Sequence, residues 1–334
     1  MHEHILACLP HVAGMLGGEA SGVGLFNQPL TLENLGGVRY GRAVNRLDCE
    51  LTDIETAIAE VGLFRRAGGT LIVDATSIGI GRDPLGLAAV ARATGVNVVM
   101  GSSFYVESTW PAPAAVTGRS EAEIRDQIVG DLTIGAGDTG VRAGLIGEVG
   151  CSWPLTENER KVLRASAAAQ IATGAALMVH PGRHSDAPDE IVAVLRDAGA
   201  NLSRAIICHI DRTIADRTRM KRLAESGCMI EFDLFGMENS YYPWSLPVDM
   251  PNDAGRISWL QWLIAEGHGD QLLASHDICF KHQLVKYGGH GYAHILANAA
   301  PLMRRKGMNQ VEIDRILIEN PRRILTIGAQ GEHG

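Results

Sequence analysis

This chain has no paired cysteine motif, no long apolar run and no excess of positive charge, and each absence removes a class of protein. Its six cysteines, Cys8, Cys49, Cys151, Cys208, Cys228 and Cys279, are scattered without a CxxC pair. That excludes a structural zinc cluster of paired thiolates. In a chain of 334 residues it argues for buried thiols in a reducing compartment rather than a disulfide frame, so a cytoplasmic location is expected. No stretch approaches the ~18 apolar residues that a membrane helix needs. Met1-His2-Glu3-His4 opens the sequence without the basic segment and apolar run of a secretion signal. A net charge of -8 argues against nucleic acid or an anionic membrane as partner.

What is present suits a globular enzyme with a large core: 46% of residues are hydrophobic and 20% charged. Short apolar runs at 70–75, 97–101, 143–151, 176–180, 205–209, 228–232 and 271–276 alternate with helical patterns. Ser120 with Glu123 and Thr156 with Glu159 are capping boxes that open two of those helices. Counting the segment around His2 and His4 gives eight strands. Such alternation predicts parallel βα units closed into a (β/α)8 TIM barrel, one domain over residues 1–334. A doubly wound open sheet is the alternative, but no GxGxxG follows the first strand. That first strand has only Met1 before His2. Either it is unusually short or the chain begins upstream. The second is the expectation, with a truncated strand and a barrel floor poorly closed near Met1. Residues 12–48 are rich in glycine and lack periodicity, which predicts an irregular segment overhanging the site.

Six groups fall at or just past predicted strand ends: His2, His4, Glu148, His180, His209 and Asp277. The carboxyl ends of barrel strands meet around one axis, so residues far apart in sequence converge there. Each alone has an ordinary structural reading. A lone histidine can be a hydrogen-bonded core residue, and Glu148 can pair with a core arginine. Together they are the imidazole and carboxylate ligands expected of zinc or a similar divalent ion. A carboxylate can bridge two cations, so the set suits two metal ions that acidify a water and polarise a substrate oxygen.

Longer stretches carry a resemblance. Gly144-Leu145-Ile146-Gly147-Glu148-Val149-Gly150-Cys151-Ser152-Trp153-Pro154, Val179-His180-Pro181-Gly182-Arg183, His209-Ile210-Asp211-Arg212-Thr213, His276-Asp277-Ile278 and Lys286-Tyr287-Gly288-Gly289-His290-Gly291-Tyr292 resemble the phosphotriesterase family of the amidohydrolase superfamily, above all its phosphotriesterase-related branch. The resemblance spans essentially the whole chain. It implies a binuclear barrel, commonly with zinc, whose members are often homodimers. His2, His4 and Asp277 would hold the more buried ion and His180 and His209 the more exposed one, with Glu148 bridging. Two departures from the phosphotriesterases proper count against organophosphates as the native substrate. Glu148 stands where they carry a carboxylated lysine, and Leu234 where they carry a proton-relaying histidine. Carboxylic esters or N-acyl amides are the expected substrates, as in the related branch, whose members include N-acetyltaurine hydrolases. Phosphotriester or lactone hydrolysis is the alternative, and a barrel that binds a small ligand without turnover is a third reading.

The expected chemistry is attack of an activated hydroxide on an acyl carbonyl, with Asp277 as the catalytic base that passes the proton to the leaving group. Arg183, three residues past His180, can clamp an anionic group of a small-molecule substrate. Lys281, Tyr287 and His290 follow Asp277 and are expected at the same mouth. Asp211 with Arg212 reads as a structural ion pair. Tyr241, Tyr242 and Trp244 either wall the pocket or pin their loop. His276 and Cys208 read as core residues facing away from the ligands beside them.

Overall fold

Alternation along each strand sorts the side chains into two layers, and that sorting decides which groups reach the axis. In the computed structural model, residues 1–9, 26–40, 45–110, 114–242, 244, 245 and 248–327 are described. A two-residue antiparallel pair, β1 (Ala7–Cys8) and β2 (Glu50–Leu51), precedes the main sheet. Seven strands then pair in chain order, all parallel: β3 (Leu71–Asp74), β4 (Asn97–Ser102), β5 (Leu145–Gly150), β6 (Leu177–His180), β7 (Ala205–Ile207), β8 (Met229–Phe232) and β9 (Leu272–Ala274). Helices including Pro84–Thr94, Glu157–Thr173 and Ala187–Asp197 separate them, as the alternation of patterns predicts. Ser120 and Thr156 both cap their helices through the expected glutamates.

The eighth stave is the segment at His2–His4. Its backbone reaches β3 on one side, where Glu3 N–H donates to the Val73 carbonyl (3.0 Å) and the Glu3 carbonyl accepts from Ala75 N–H (2.8 Å). On the other side Asp277 N–H donates to the His2 carbonyl and His4 N–H to the Ile278 carbonyl, each at 3.1 Å. The sheet thereby closes into a (β/α)8 barrel. Odd and even residues divide cleanly: Leu177 and Val179 of β6 join the layer under the helices, while Met178 joins the barrel interior. The interior cluster also holds Val73, Leu145, Ile206, Met229 and Leu273, with Met1 packed against it. The floor near Met1, expected to be poorly closed, is filled by Ile324 and Leu325 of the helix Asn320–Leu325.

Of the segment 12–48, residues 12–25 and 41–44 lie outside the described residues. The described part departs from the expectation, because Leu32–Arg39 is helical. Asn34 Oδ1 accepts from Thr31 N–H (2.9 Å), an N-terminal cap that offsets the weakness of Gly36 and Gly37 within the helix.

Glu3 locks the closure. Its carboxylate accepts from the backbone N–H of His276 and of Ile278 (3.1 Å each), from Ser275 Oγ (2.7 Å) and from His276 Nδ1 (2.6 Å). Burial pushes this carboxyl up, but His276 and Ser275 outweigh it and hold it down at about 2. A value depressed in the fold adds stability above the unfolded carboxyl range near ~4.3, and that stability is lost as pH falls toward 2. Acid unfolding followed by circular dichroism should therefore show a stability loss in that window. Glu3→Gln should flatten it and cost about 1–3 kcal/mol at neutral pH.

Candidate metal centre

Four imidazoles converge on one carboxylate. Glu148 Oε2 lies 3.4 Å from His2 Nε2, 3.1 Å from His180 Nδ1 and 3.4 Å from His209 Nε2, and Oε1 lies 3.4 Å from His4 Nε2. Asp277 Oδ1 lies 3.3 Å from His4 Nε2 and 3.8 Å from His2 Nε2. All six groups singled out by sequence thus meet at the carboxyl ends of the barrel strands. Five of them fall into two sets whose ligand atoms are mutually within 4.8 Å, His2–His4–Glu148 and Glu148–His180–His209, with Glu148 in both and Asp277 beside them. A further set joins His2 to Cys208, Glu231 and Asp233.

Local backbone explains how each group arrives. Glu148 turns inward at a register shift in β5 between Ile146 and Val149, where Gly147 has φ 125°. A side chain at Gly147 would collide with the Met178 carbonyl at 2.3 Å, so only glycine fits. His209 and Asp277 both adopt positive φ, 53° and 50°. For His209 this has a further consequence. Alternation along β7 already aims Cys208 into the barrel, and the left-handed turn brings His209 inward as well. Cys208 is therefore not in the outer layer, contrary to expectation. Its Sγ lies 3.2 Å from His2 Nδ1. His276 does face outward, between Glu3 and the backbone N–H of Ile295.

The outer nitrogen of three rings is engaged, which orients the inner one. His209 Nδ1 meets Asp233 Oδ1 at 2.9 Å, His4 Nδ1 meets Thr76 Oγ1 at 2.9 Å, and His2 Nδ1 faces Cys208 and, at 3.4 Å, Asp233 Oδ2. Asp233 also accepts from His209 N–H at 2.9 and 3.1 Å. Sequence reading missed Asp233 and its neighbour Glu231. The signal was there, since Met229, Glu231 and Asp233 are two apart along β8 and share its inward face. Asp233→Asn should weaken the metal affinity of the His180–His209 set by about 10–100-fold with the fold intact, measured by competition with a chromogenic chelator.

The donor chemistry fits divalent metal. His2 Nε2 is buried, has no hydrogen-bond partner and points at the shared carboxylate. Burial pushes the Glu148 carboxyl up, yet His2 and His180 hold it well below the carboxylate range, so it is an anion. Burial keeps His180 well below the usual imidazole range, with Glu148 opposing and His209 adding to the effect. His180 is therefore neutral, ready to bind a cation. At His2, His4 and His209 burial is outweighed by neighbouring carboxylates, which raise all three, the last to about 10, so a cation bound there displaces protons.

Above these groups opens a cleft with about 60 Å³ of water-accessible space, lined by Tyr105, Arg183, Arg212, Leu234, Tyr242, Trp244 and Phe280 among others. That volume holds several waters or a small acyl group. Leu234 contributes a hydrocarbon face to the cleft. Tyr242 and Trp244 line the cleft, while Tyr241 is exposed. Arg183 is at the mouth, its Nε donating to Tyr242 Oη (3.0 Å) and its guanidinium over Trp244. The other three expected substrate contacts lie elsewhere. Lys281 and Tyr287 line a separate hollow beside Glu50, Thr52 and Asp53, and His290 packs on Gly236 and the rings of His276 and His294. Short helical turns at Lys281–Gln283 and Val285–Tyr287 fold this loop back toward β2. The expected Asp211–Arg212 pair is also absent. Asp211 Oδ2 binds Arg256 Nε at 2.7 Å instead, while Arg212 turns toward His180 and the cleft.

Known proteins resemble this chain over most of its length. The family model described as "Phosphotriesterase family" matches residues 1–325. An N-acetyltaurine hydrolase of Dictyostelium discoideum is 48% identical over 303 residues, 91% of this chain and 81% of that protein. A phosphotriesterase-related protein of Nematostella vectensis is 44% identical over 299 residues, 89% of this chain and 85% of the other. The crystal structure of a resiniferatoxin-binding protein from Rhodobacter sphaeroides superposes with a TM-score of 0.91 at 35% identity, covering 97% of this chain and 89% of that one.

Proposed function

The chain belongs to the phosphotriesterase family and is a hydrolase, and from that premise we propose that it cleaves N-acyl amides or carboxylic esters with two divalent ions, most simply zinc. The observation that carries this reading is the sharing of Glu148 by two imidazole pairs. His2, His4 and Asp277 would hold one ion, His180 and His209 the other, and Glu148 both. When bound, the ions supply Lewis acidity, lowering the pKa of water and polarising an acyl oxygen. Asp277 keeps 16% of its side chain exposed at the base of the cleft. There it accepts the proton of the attacking water and returns it to the departing amine or alkoxide. Leu234, Tyr242, Trp244 and Phe280 wall the cleft and limit access of bulk water. The amide is preferred over the ester because the curated relative at 48% identity is named an N-acetyltaurine hydrolase.

The second reading, a barrel that binds a small ligand without turnover, draws on the likeness to the resiniferatoxin-binding protein. One assay separates the two. Purified protein is offered N-acetyl amines and p-nitrophenyl esters, with and without a chelator. Turnover lost on chelation and restored by added zinc supports the hydrolase. Saturable binding without turnover supports the other.

A further inference from the structure

Arg212 is the group for which the proposed chemistry has no use. It is 3% exposed, in a turn just after β7, and it lines the cleft beside Glu148, Asp277 and Arg183. Its Nη2 donates to the Pro181 carbonyl (3.2 Å) and lies 3.4 Å from His180 Nε2, and its Nη1 lies 3.5 Å from Thr213 Oγ1. None of these partners is a carboxylate. Among the described residues no carboxylate forms an ion pair with Arg212 or with Arg183. Asp211, next in sequence to Arg212, is taken by Arg256 and by Leu234 N–H. The acids of the site are committed too, Glu148 and Asp277 to imidazoles and Asp233 to His209.

A buried guanidinium that meets no anion is costly, because its desolvation is not compensated. Arg212 is such a group, and Arg183, exposed at the mouth on the loop after β6, also meets no carboxylate; the two open into one cleft and leave the anion to be supplied from outside. We propose that Arg212, together with Arg183, forms an anion subsite that receives an acidic oxyanion on the amine side of the substrate, a sulfonate or a carboxylate. Arg212 is the interior half, set against His180. Arg183 is the outer half, steadied by Tyr242 and by the face of Trp244. The planar fork of each guanidinium suits the paired oxygens of such a group. The substrate class is then an N-acyl amine with an acid a few bonds from the nitrogen. This assignment rests on the amide-hydrolase reading above.

The test compares Arg212→Met and Arg212→Lys with the parent protein on three N-acetyl amines of equal chain length, ending in sulfonate, in carboxylate or in a neutral hydroxyl. The ratio of kcat/KM for the acidic substrates to that for the neutral one should fall about 10–100-fold in Arg212→Met, chiefly through KM, with partial recovery in Arg212→Lys. The sulfonate and carboxylate arms decide which oxyanion the subsite prefers. Equal losses on all three substrates would overturn the proposal and make Arg212 a support for His180. An unchanged ratio would overturn it as well. Ethanesulfonate binding, followed by the fluorescence change of Trp244, needs no turnover. If the parent protein hydrolyses none of the amides yet binds ethanesulfonate, and Arg212→Met weakens that binding 10–100-fold, the subsite stands and the amide reading falls. Absence of ethanesulfonate binding in the parent refutes the subsite itself.

Discussion

Glu148→Ala should reduce kcat/KM by about 10³-fold or more and bring bound metal below one ion per chain. Among the described residues this carboxylate is the one group within reach of all four imidazoles, with oxygens 3.1–3.4 Å from His2, His4, His180 and His209. Removing it leaves each set with two imidazoles and uncompensated cation charge in a buried space. Lewis-acid stabilisation of a transition state is worth several kcal/mol, and each ~1.4 kcal/mol is tenfold in rate, which gives the magnitude. Elemental analysis and steady-state kinetics on the same preparation, with circular dichroism to verify folding, check both halves. Retention of turnover would show that the reaction does not pass through this cluster.

Asp277→Asn separates ligation from proton transfer. The amide keeps the size and one oxygen of the carboxylate but cannot hold a proton at its working position. Burial pushes Asp277 up, while His209 and His4 more than offset this, so the carboxyl is an anion ready to accept. Loss of a positioned base lowers rate by about 10²–10⁴-fold. The drop should appear in kcat rather than KM, and the acid limb of the pH–rate profile should disappear. The limb arises because activity requires the deprotonated form and is lost as pH falls. A change in KM alone would assign Asp277 to binding and leave the base to be found.

The site was legible in sequence because its chemistry sits where the fold rule puts it. His180 ends β6, where period-two geometry aims it inward with Met178, whereas Glu148 lies inside β5 and reaches the axis only through the register shift between Ile146 and Val149. What escaped was conformational. Nothing in the residue types around His209 announces its left-handed φ, and without it Cys208 and His209 were assigned opposite faces. Arg212 was paired with its sequence neighbour, whereas in the turn Ile210–Arg212 the two side chains diverge, Asp211 toward Arg256 and Arg212 toward the cleft. Lys281, Tyr287 and His290 were placed at the mouth by proximity to Asp277. Proximity along the chain does not fix where a loop of short turns travels. Asp233 and Glu231 differ, since they obey the same alternation as His2 and His4. Nothing in their residue types alone separates them from structural carboxylates.

The central claim is that barrel closure assembles two cation sites sharing one carboxylate. Metal content of the purified wild-type protein, measured by inductively coupled plasma mass spectrometry after dialysis against metal-free buffer and reloading with zinc, tests it most directly. The account predicts two ions per chain, falling to one or fewer in Glu148→Ala. A folded wild-type protein that retains no stoichiometric divalent metal would contradict it.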